Sequence, residues 1–155
     1  ITPESKGRIE SLVDVGHREG AKQRLDGRGQ GGEGHQDGYF ISPSILEDVD
    51  VSSEIARTEI FGPVLVVIPF DDIEDVVDRA NDSRYGLAAS IWSNNLSQVQ
   101  RLIPKLKAGT VWVNGHNMLD ANIPFGGYKL SGVGRDMGKQ SLDSYLETKS
   151  VVIAL

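Results

Sequence analysis

The strongest constraint on the fold is a regular alternation of strand and helix patterns between Val64 and Asn114. Val64 to Phe70 is an apolar run of strand length, with Pro69 near its end. Asp71 and Asp72 then offer a cap, and Ile73, Val76, Val77 and Ala80 recur at helical spacing, which predicts a helix over Ile73 to Asn81. Gly86 to Trp92 reads as a second strand. Leu96 to Lys107 reads as a second amphipathic helix, kinked or shortened by Pro104, which lacks an N–H and clashes with the preceding turn. Gly109 to Asn114 is a third strand centred on Thr110-Val111-Trp112-Val113. This rhythm predicts an α/β fold, an open and mostly parallel sheet with flanking helices.

Sheets of this kind bind ligands beyond the carboxyl ends of their strands. The segment Gly115 to Met137 follows the third strand and reads as a long loop. Its centre is Pro124-Phe125-Gly126-Gly127-Tyr128-Lys129, followed by Ser131-Gly132-Val133-Gly134-Arg135. Gly132, Gly134 and Gly138 superficially suggest a dinucleotide fingerprint, but the spacing is wrong and no strand immediately precedes them. His116 and Asn117 have no partner in the sequence and read as residues that hydrogen-bond the loop. Lys139 to Glu147 reads as a short helix, and Val151 to Leu155 as a bare apolar terminal strand, a liability unless something covers it.

Before the alternation begins, Thr2-Pro3-Glu4-Ser5 looks like a helix start, with Thr2 as the cap and Pro3 in the first position. Ile9, Leu12 and Val13 continue at helical spacing, and Gly16 or Gly20 ends the helix. Lys6, Arg8 and His17 read as a solvated face. Ala21 to Leu25 is a short strand candidate. Gly27 to Gly38 is glycine-rich but lacks the Lys-Ser/Thr ending of a phosphate loop, and no helix pattern follows it, so it reads as a flexible hairpin. His35 within it has no second metal ligand nearby, and no metal site is expected. Tyr39-Phe40-Ile41 and Ile45-Leu46 read as extended chain broken by Pro43. Ser53 to Thr58 reads as one helical turn.

That turn leads into Glu59-Ile60-Phe61-Gly62-Pro63. Ile60, Phe61 and Val64 to Ile68 look like sheet core, so a carboxylate sits directly against an apolar run, with Arg57 as the nearest cation in sequence. Burying a carboxylate costs several kcal/mol unless it is hydrogen-bonded. At the mouth of a sheet, Glu59 suits the two hydroxyl donors of a ribose diol. If the backbone is extended, Phe61 shares its face and packs on a flat ring. The bland alternative is a solvated Glu in the turn that begins a strand.

Composition narrows the partners. A net charge of −6 argues against nucleic acid or an anionic membrane as the main partner. The absence of cysteine excludes disulfides, thiolate metal sites and a cysteine nucleophile within this chain. Ile1 to Glu10 are mostly polar and charged, unlike a secretory signal, no apolar run is long enough to span a membrane, and a cytoplasmic location is expected. By length the chain is one domain. It opens on Ile rather than Met, which suggests processing or a longer polypeptide.

Glu59-Ile60-Phe61-Gly62-Pro63-Val64, Tyr85-Gly86-Leu87-Ala88-Ala89, Gly109 to Asn114, Pro124 to Lys129, Ser131-Gly132-x-Gly134-Arg135 and Tyr145 to Ser150 occur in that order. The ordered set resembles the C-terminal part of an NAD(P)-dependent aldehyde dehydrogenase, from Ile1 to Leu155. The resemblance implies oxidation of an aldehyde to a carboxylic acid with NAD or NADP, through a cysteine thioester that a glutamate-activated water resolves. The nucleophile, the general base and the Rossmann-like cofactor domain of that family precede the matched stretch. No catalytic residue is therefore expected in this chain, and it should be inactive alone.

Residue by residue, the resemblance implies that Glu59 hydrogen-bonds the nicotinamide ribose and that Phe61 packs beside the nicotinamide. Leu119 and Phe125 match positions lining the aldehyde pocket. Leu119 stands where relatives often carry an aromatic, which allows a wider pocket. Ser5 and Arg8 replace a Gln and a Lys that often hold the adenosine ribose. Residues 1–143 would belong to the catalytic domain and 144–155 to an arm that self-associates by adding a strand to a neighbouring subunit, giving a homo-oligomer. The competing reading is a non-catalytic binding or assembly module that keeps the same half-fold.

Overall fold

Thr2 is a helix cap: its hydroxyl accepts the Ser5 N–H at 3.1 Å, and Pro3 opens helix α1, Pro3–Arg18. The computed structural model describes residues 2–29 and 38–155, so His35 and most of the glycine-rich stretch lie outside the described residues. Helix α1 ends in a left-handed turn. Gly20, at φ 97°, donates to His17 O, and Ala21 donates to Gly16 O. That pair of bonds satisfies carbonyls the helix itself leaves open.

The chain forms two compact units, Ile1–Asp72 and Ile73–Leu155. In the first, strand β1 (Lys22–Leu25) pairs antiparallel with β2 (Ser44–Glu47), and β2 pairs parallel with β3 (Val64–Val66). A single helical turn, α2 (Glu54–Arg57), lies between β2 and β3 in sequence. Ser53 caps α2 through its hydroxyl, and both Glu19 carboxylate oxygens accept N–H bonds from Glu54 and Ile55. The end of α1 thus fixes the start of α2. Ile9, Val13, Leu46, Val49, Ile55 and Ile60 form the core of this unit. The fully buried Ser44 hydroxyl accepts the Gly27 N–H at 2.9 Å, which removes the cost of leaving that buried donor unpaired.

In the second unit, helix α3 (Ile73–Asn81) is followed by β4 (Tyr85–Gly86) and β5 (Ala88–Ile91). Helix α4 (Leu96–Leu102) is capped by Asn95, whose Oδ1 accepts the Gln98 N–H, and it tightens into a 3₁₀ turn at Ile103–Lys105, as Pro104 demands. Strand β6 (Thr110–Val113) pairs parallel with β5, register Ala88↔Thr110 to Ile91↔Val113. A short β7 (Tyr128–Lys129) pairs antiparallel with β4. Lys129 Nζ donates to Asn81 O and Ser83 O at 2.8 and 2.9 Å, placing a cation at the carbonyl end of α3.

The α/β class and the parallel pairs β2–β3 and β5–β6 agree with the sequence pattern, and the strands are distributed over three small sheets. Other expectations need correction. The strand from Val64 stops at Val66, because its partner β2 turns away at Asp48, which has φ 55°. The run Gly86 to Trp92 is two strands with different partners. The segment 115–137 is not a plain loop, since it contains β7 and a bridge between Phe125 and Asp136. Residues 139–145 form a 3₁₀ helix. Val151 to Leu155 has no strand pairing among the described residues, and Val151, Val152, Ile153 and Leu155 are exposed. A strand exists only where backbone partners complete it. No described helix is long and apolar enough to cross a membrane.

Candidate functional site

In the first unit, α2 and β3 hold the Glu59–Pro63 turn between buried anchors. Ile55 and Ile60 are buried, and Ser44 N–H donates to Pro63 O at 2.9 Å. Glu59 itself is exposed. It makes no hydrogen bond or ion pair among the described residues, and Arg57 directs its Nε to Val51 O at 3.1 Å. The expectation of a carboxylate pressed into apolar core is thus overturned. Glu59 keeps its hydration and is free to accept donors.

Phe61 is not core either. The residue is 80% exposed and its backbone has φ 51°. The backbone is therefore not extended at Phe61, and the face-sharing expected with Glu59 does not follow from strand geometry. A non-glycine residue in this region costs about 1–2 kcal/mol. The surrounding anchors impose it: Gly62 lies against Ile9 of α1, and Val64 N–H closes onto Gly62 O at 2.8 Å. Phe61 edges a cleft of about 740 Å³, whose walls include Ser5, Lys6 and Arg8 from α1 and Tyr39 and Phe40. Lys6 and Arg8, read from the sequence as a solvated face, are two cations on this cleft. Tyr39 and Phe40 read in the sequence only as extended chain, and their adjacent rings were the one available signal.

In the second unit, β6 ends at Asn114, whose side chain bonds Ser93 twice: Oδ1 accepts Ser93 N–H at 2.9 Å and Nδ2 donates to Ser93 O at 3.0 Å. Trp112, buried on β6, donates from Nε1 to Met118 O at 2.8 Å and so ties down the residue before Leu119. The His116 ring meets Trp112 edge-on at 5.2 Å, and its Nδ1 lies 3.0 Å from the Ser90 hydroxyl. His116 therefore ties the start of the segment to strand β5 rather than bonding within the loop. Leu119 is exposed.

Phe125 is half-buried and exchanges two backbone hydrogen bonds with Asp136, both 2.8 Å. The two following glycines are sites of close backbone approach. A side chain at Gly126 would meet Gly134 O at 2.7 Å, and one at Gly127 would meet Ser131 Cβ at 2.4 Å. Arg135 closes this packing, donating to Gly127 O at 3.0 Å with its guanidinium 5.4 Å from the Tyr128 ring centre. Glu59 and Phe61 thus share one turn of the first unit, and Leu119 and Phe125 share one looped segment of the second.

Residues 1–151 match the aldehyde dehydrogenase family. The chain is 44% identical over all 155 residues to a putative aldehyde dehydrogenase, DhaS, of Bacillus subtilis, spanning 30% of that protein. It is 52% identical over 118 residues, 76% of its length and 24% of the relative's, to a phenylacetaldehyde dehydrogenase of Pseudomonas fluorescens. Among solved structures, betaine aldehyde dehydrogenase of Staphylococcus aureus in complex with NAD+ matches with a TM-score of 0.93 at 40% identity, over 96% of this chain and 30% of that one. The NAD+ complex of an aldehyde dehydrogenase from Bacillus cereus matches at 0.90 and 44%, over 97% and 30% of the two chains.

Proposed function

The chain belongs to the aldehyde dehydrogenase family, and from that premise we propose that it supplies a cofactor contact, part of an aldehyde pocket and an assembly arm to an enzyme that oxidises an aldehyde to a carboxylic acid with NAD+ or NADP+. The observation carrying this reading is the Glu59–Phe61 turn. An unpartnered carboxylate stands two residues from an aromatic residue that is 80% exposed on a left-handed backbone. An exposed ring held in a costly conformation is arranged for something to cover it.

The residues fit a nicotinamide nucleotide. An ionised Glu59 is acceptor-only and takes both hydroxyl donors of a ribose diol. The flat face of Phe61 suits an offset stack on a flat ring. Lys6 and Arg8 bring cations to the same cleft. A bound nicotinamide would supply the acceptor for the hydride lost by the aldehyde carbon. Glu59 then fixes the ribose, Phe61 orients the ring and excludes water, and Leu119 and Phe125 bound the aldehyde. The sequence has no cysteine, so the thiolate that forms the thioester comes from outside this chain, as does the glutamate that activates water, and the chain alone is inactive. Residues 1–143 serve the catalytic domain. Residues 144–155 form the arm, whose exposed Val151, Val152, Ile153 and Leu155 suit burial by a second copy through strand addition.

In the complete enzyme, Glu59→Gln should weaken NAD+ binding by about tenfold, the worth of a charge-assisted hydrogen bond. Calorimetric titration with NAD+ measures it, beside the melting temperature, which should stay within error. A large fall in melting temperature with normal NAD+ affinity would make Glu59 a structural residue and remove the support for this reading.

A further inference from the structure

We propose that Ile9 and Gly62 form a seat that positions Phe61, so that the core contact between helix α1 and the turn sets the width of the cofactor cleft. The inference rests on the reading of that cleft as the cofactor site. Gly62 is not at positive φ, so its backbone does not require glycine. Space does. A β-carbon there would lie 2.6 Å from Ile9 Cδ1, 2.9 Å from Cγ1 and 3.1 Å from Cγ2. Ile9 is a buried member of the core cluster and cannot swing into solvent.

The two flanks of Phe61 are therefore fixed independently. Ile60 is buried on one side; on the other, Gly62 rests on Ile9, while its carbonyl accepts from Val64 N–H and Pro63 O accepts from Ser44 N–H. The Phe61 side chain is left in solvent between them. Helix α1 also carries Ser5, Lys6 and Arg8, which line the same cleft. One apolar contact thus registers the wall bearing the cations against the wall bearing the ring. Ile9 and Gly62 themselves border the cleft, at the point where α1 and the turn meet. Ile9 acts through Gly62, as a positioning residue.

The complete enzyme tests this with NAD+ titrated calorimetrically and melting temperatures recorded for every variant. Gly62→Ala should raise the NAD+ Kd about tenfold, because the added methyl displaces the turn from α1. Ile9→Ala removes the three carbons that methyl would strike. The double variant should therefore bind NAD+ within about threefold of Ile9→Ala alone, the non-additivity expected of groups in direct contact. Additive losses in the double variant overturn the seat, as does a folded Gly62→Ala with unchanged Kd. If Gly62→Ala does not fold, Ile9→Val decides: a Kd raised about threefold supports the seat and an unchanged Kd overturns it. Glu59→Gln separates the two levels. If it leaves the Kd unchanged, the cofactor reading itself fails. If it weakens binding while Gly62→Ala does not, the seat alone fails.

Discussion

Replacing Gly109 by alanine measures how tightly the segment carrying Phe125 is held. The new methyl carbon would stand 1.7 Å from Gly126 O, where ordinary contact begins at 3.4 Å, so one of the two backbones must move by about 1.7 Å. Neither is free to do so. Gly109 N–H donates to Gly86 O and Thr110 N–H to Leu87 O, while Phe125 is bonded twice to Asp136. Overpacking of this kind costs about 1–3 kcal/mol, with about 1 kcal/mol more for each ladder bond broken. A reacting group misplaced by about 1 Å loses on the order of 100-fold in rate. In the complete enzyme, Gly109→Ala should lower the melting temperature and reduce kcat/KM unevenly across a panel of small, branched and aromatic aldehydes. Gly7→Ala supplies the control. Gly7 lies inside α1 with nothing within 4 Å of an added β-carbon, and the substitution should stabilise by about 0.4–1 kcal/mol. A Gly109→Ala enzyme with native melting temperature and native aldehyde profile would refute both the close approach and the link from this packing to the pocket.

Acid should weaken the first unit through Asp26. The Arg28 guanidinium, which also reaches Asp14, hydrogen-bonds the Asp26 carboxylate and lowers its pKa to about 2. A folded pKa below the unfolded value, about 3.9, contributes stability that is present above that value and is lost as pH falls toward 2. The Asp26 side chain is 40% exposed, so solvent screens the pair and the effect is small. Asp26→Asn should narrow the difference in melting temperature between pH 6 and pH 3, and an unaltered difference would show that the pair does not titrate with folding. Deleting Lys149 to Leu155 from the complete enzyme should shift its elution to smaller assemblies, and unchanged elution would exclude these residues as an assembly arm.

The start of α1 and the shortening of α4 were legible because their chemistry is local: Thr2 caps the helix that follows, and Pro104 breaks α4 by its own geometry. The caps Ser53 and Asn95 are equally local and went unread. Strand limits were not legible, because a strand stops where its partner does. Val67 to Phe70 is as apolar as Val64 to Val66 in sequence, yet the ladder with β2 ends where Val67 N–H reaches Leu46 O. Tyr85–Gly86 and Ala88–Ile91 look continuous but answer to β7 and β6 respectively. At the candidate site, residue types were readable and surroundings were not. Phe61 has the composition of core, yet its own backbone has a positive φ and its side chain is exposed. Nor does the sequence show that the glycines after Phe125 are where two stretches of backbone touch.

The hydrogen bond from Trp112 to Met118 has an optical consequence. The chain has two tryptophans in opposite environments. Trp92 is 68% exposed and Trp112 8%. Water relaxes around the first indole and reddens its emission, while the second emits from a dry setting that an aqueous quencher reaches slowly. The indole N–H of Trp112 is bound to the carbonyl immediately before Leu119. Any motion that carries Leu119 away must release that N–H, so the chain has a chromophore of its own wired to the segment proposed to meet the aldehyde.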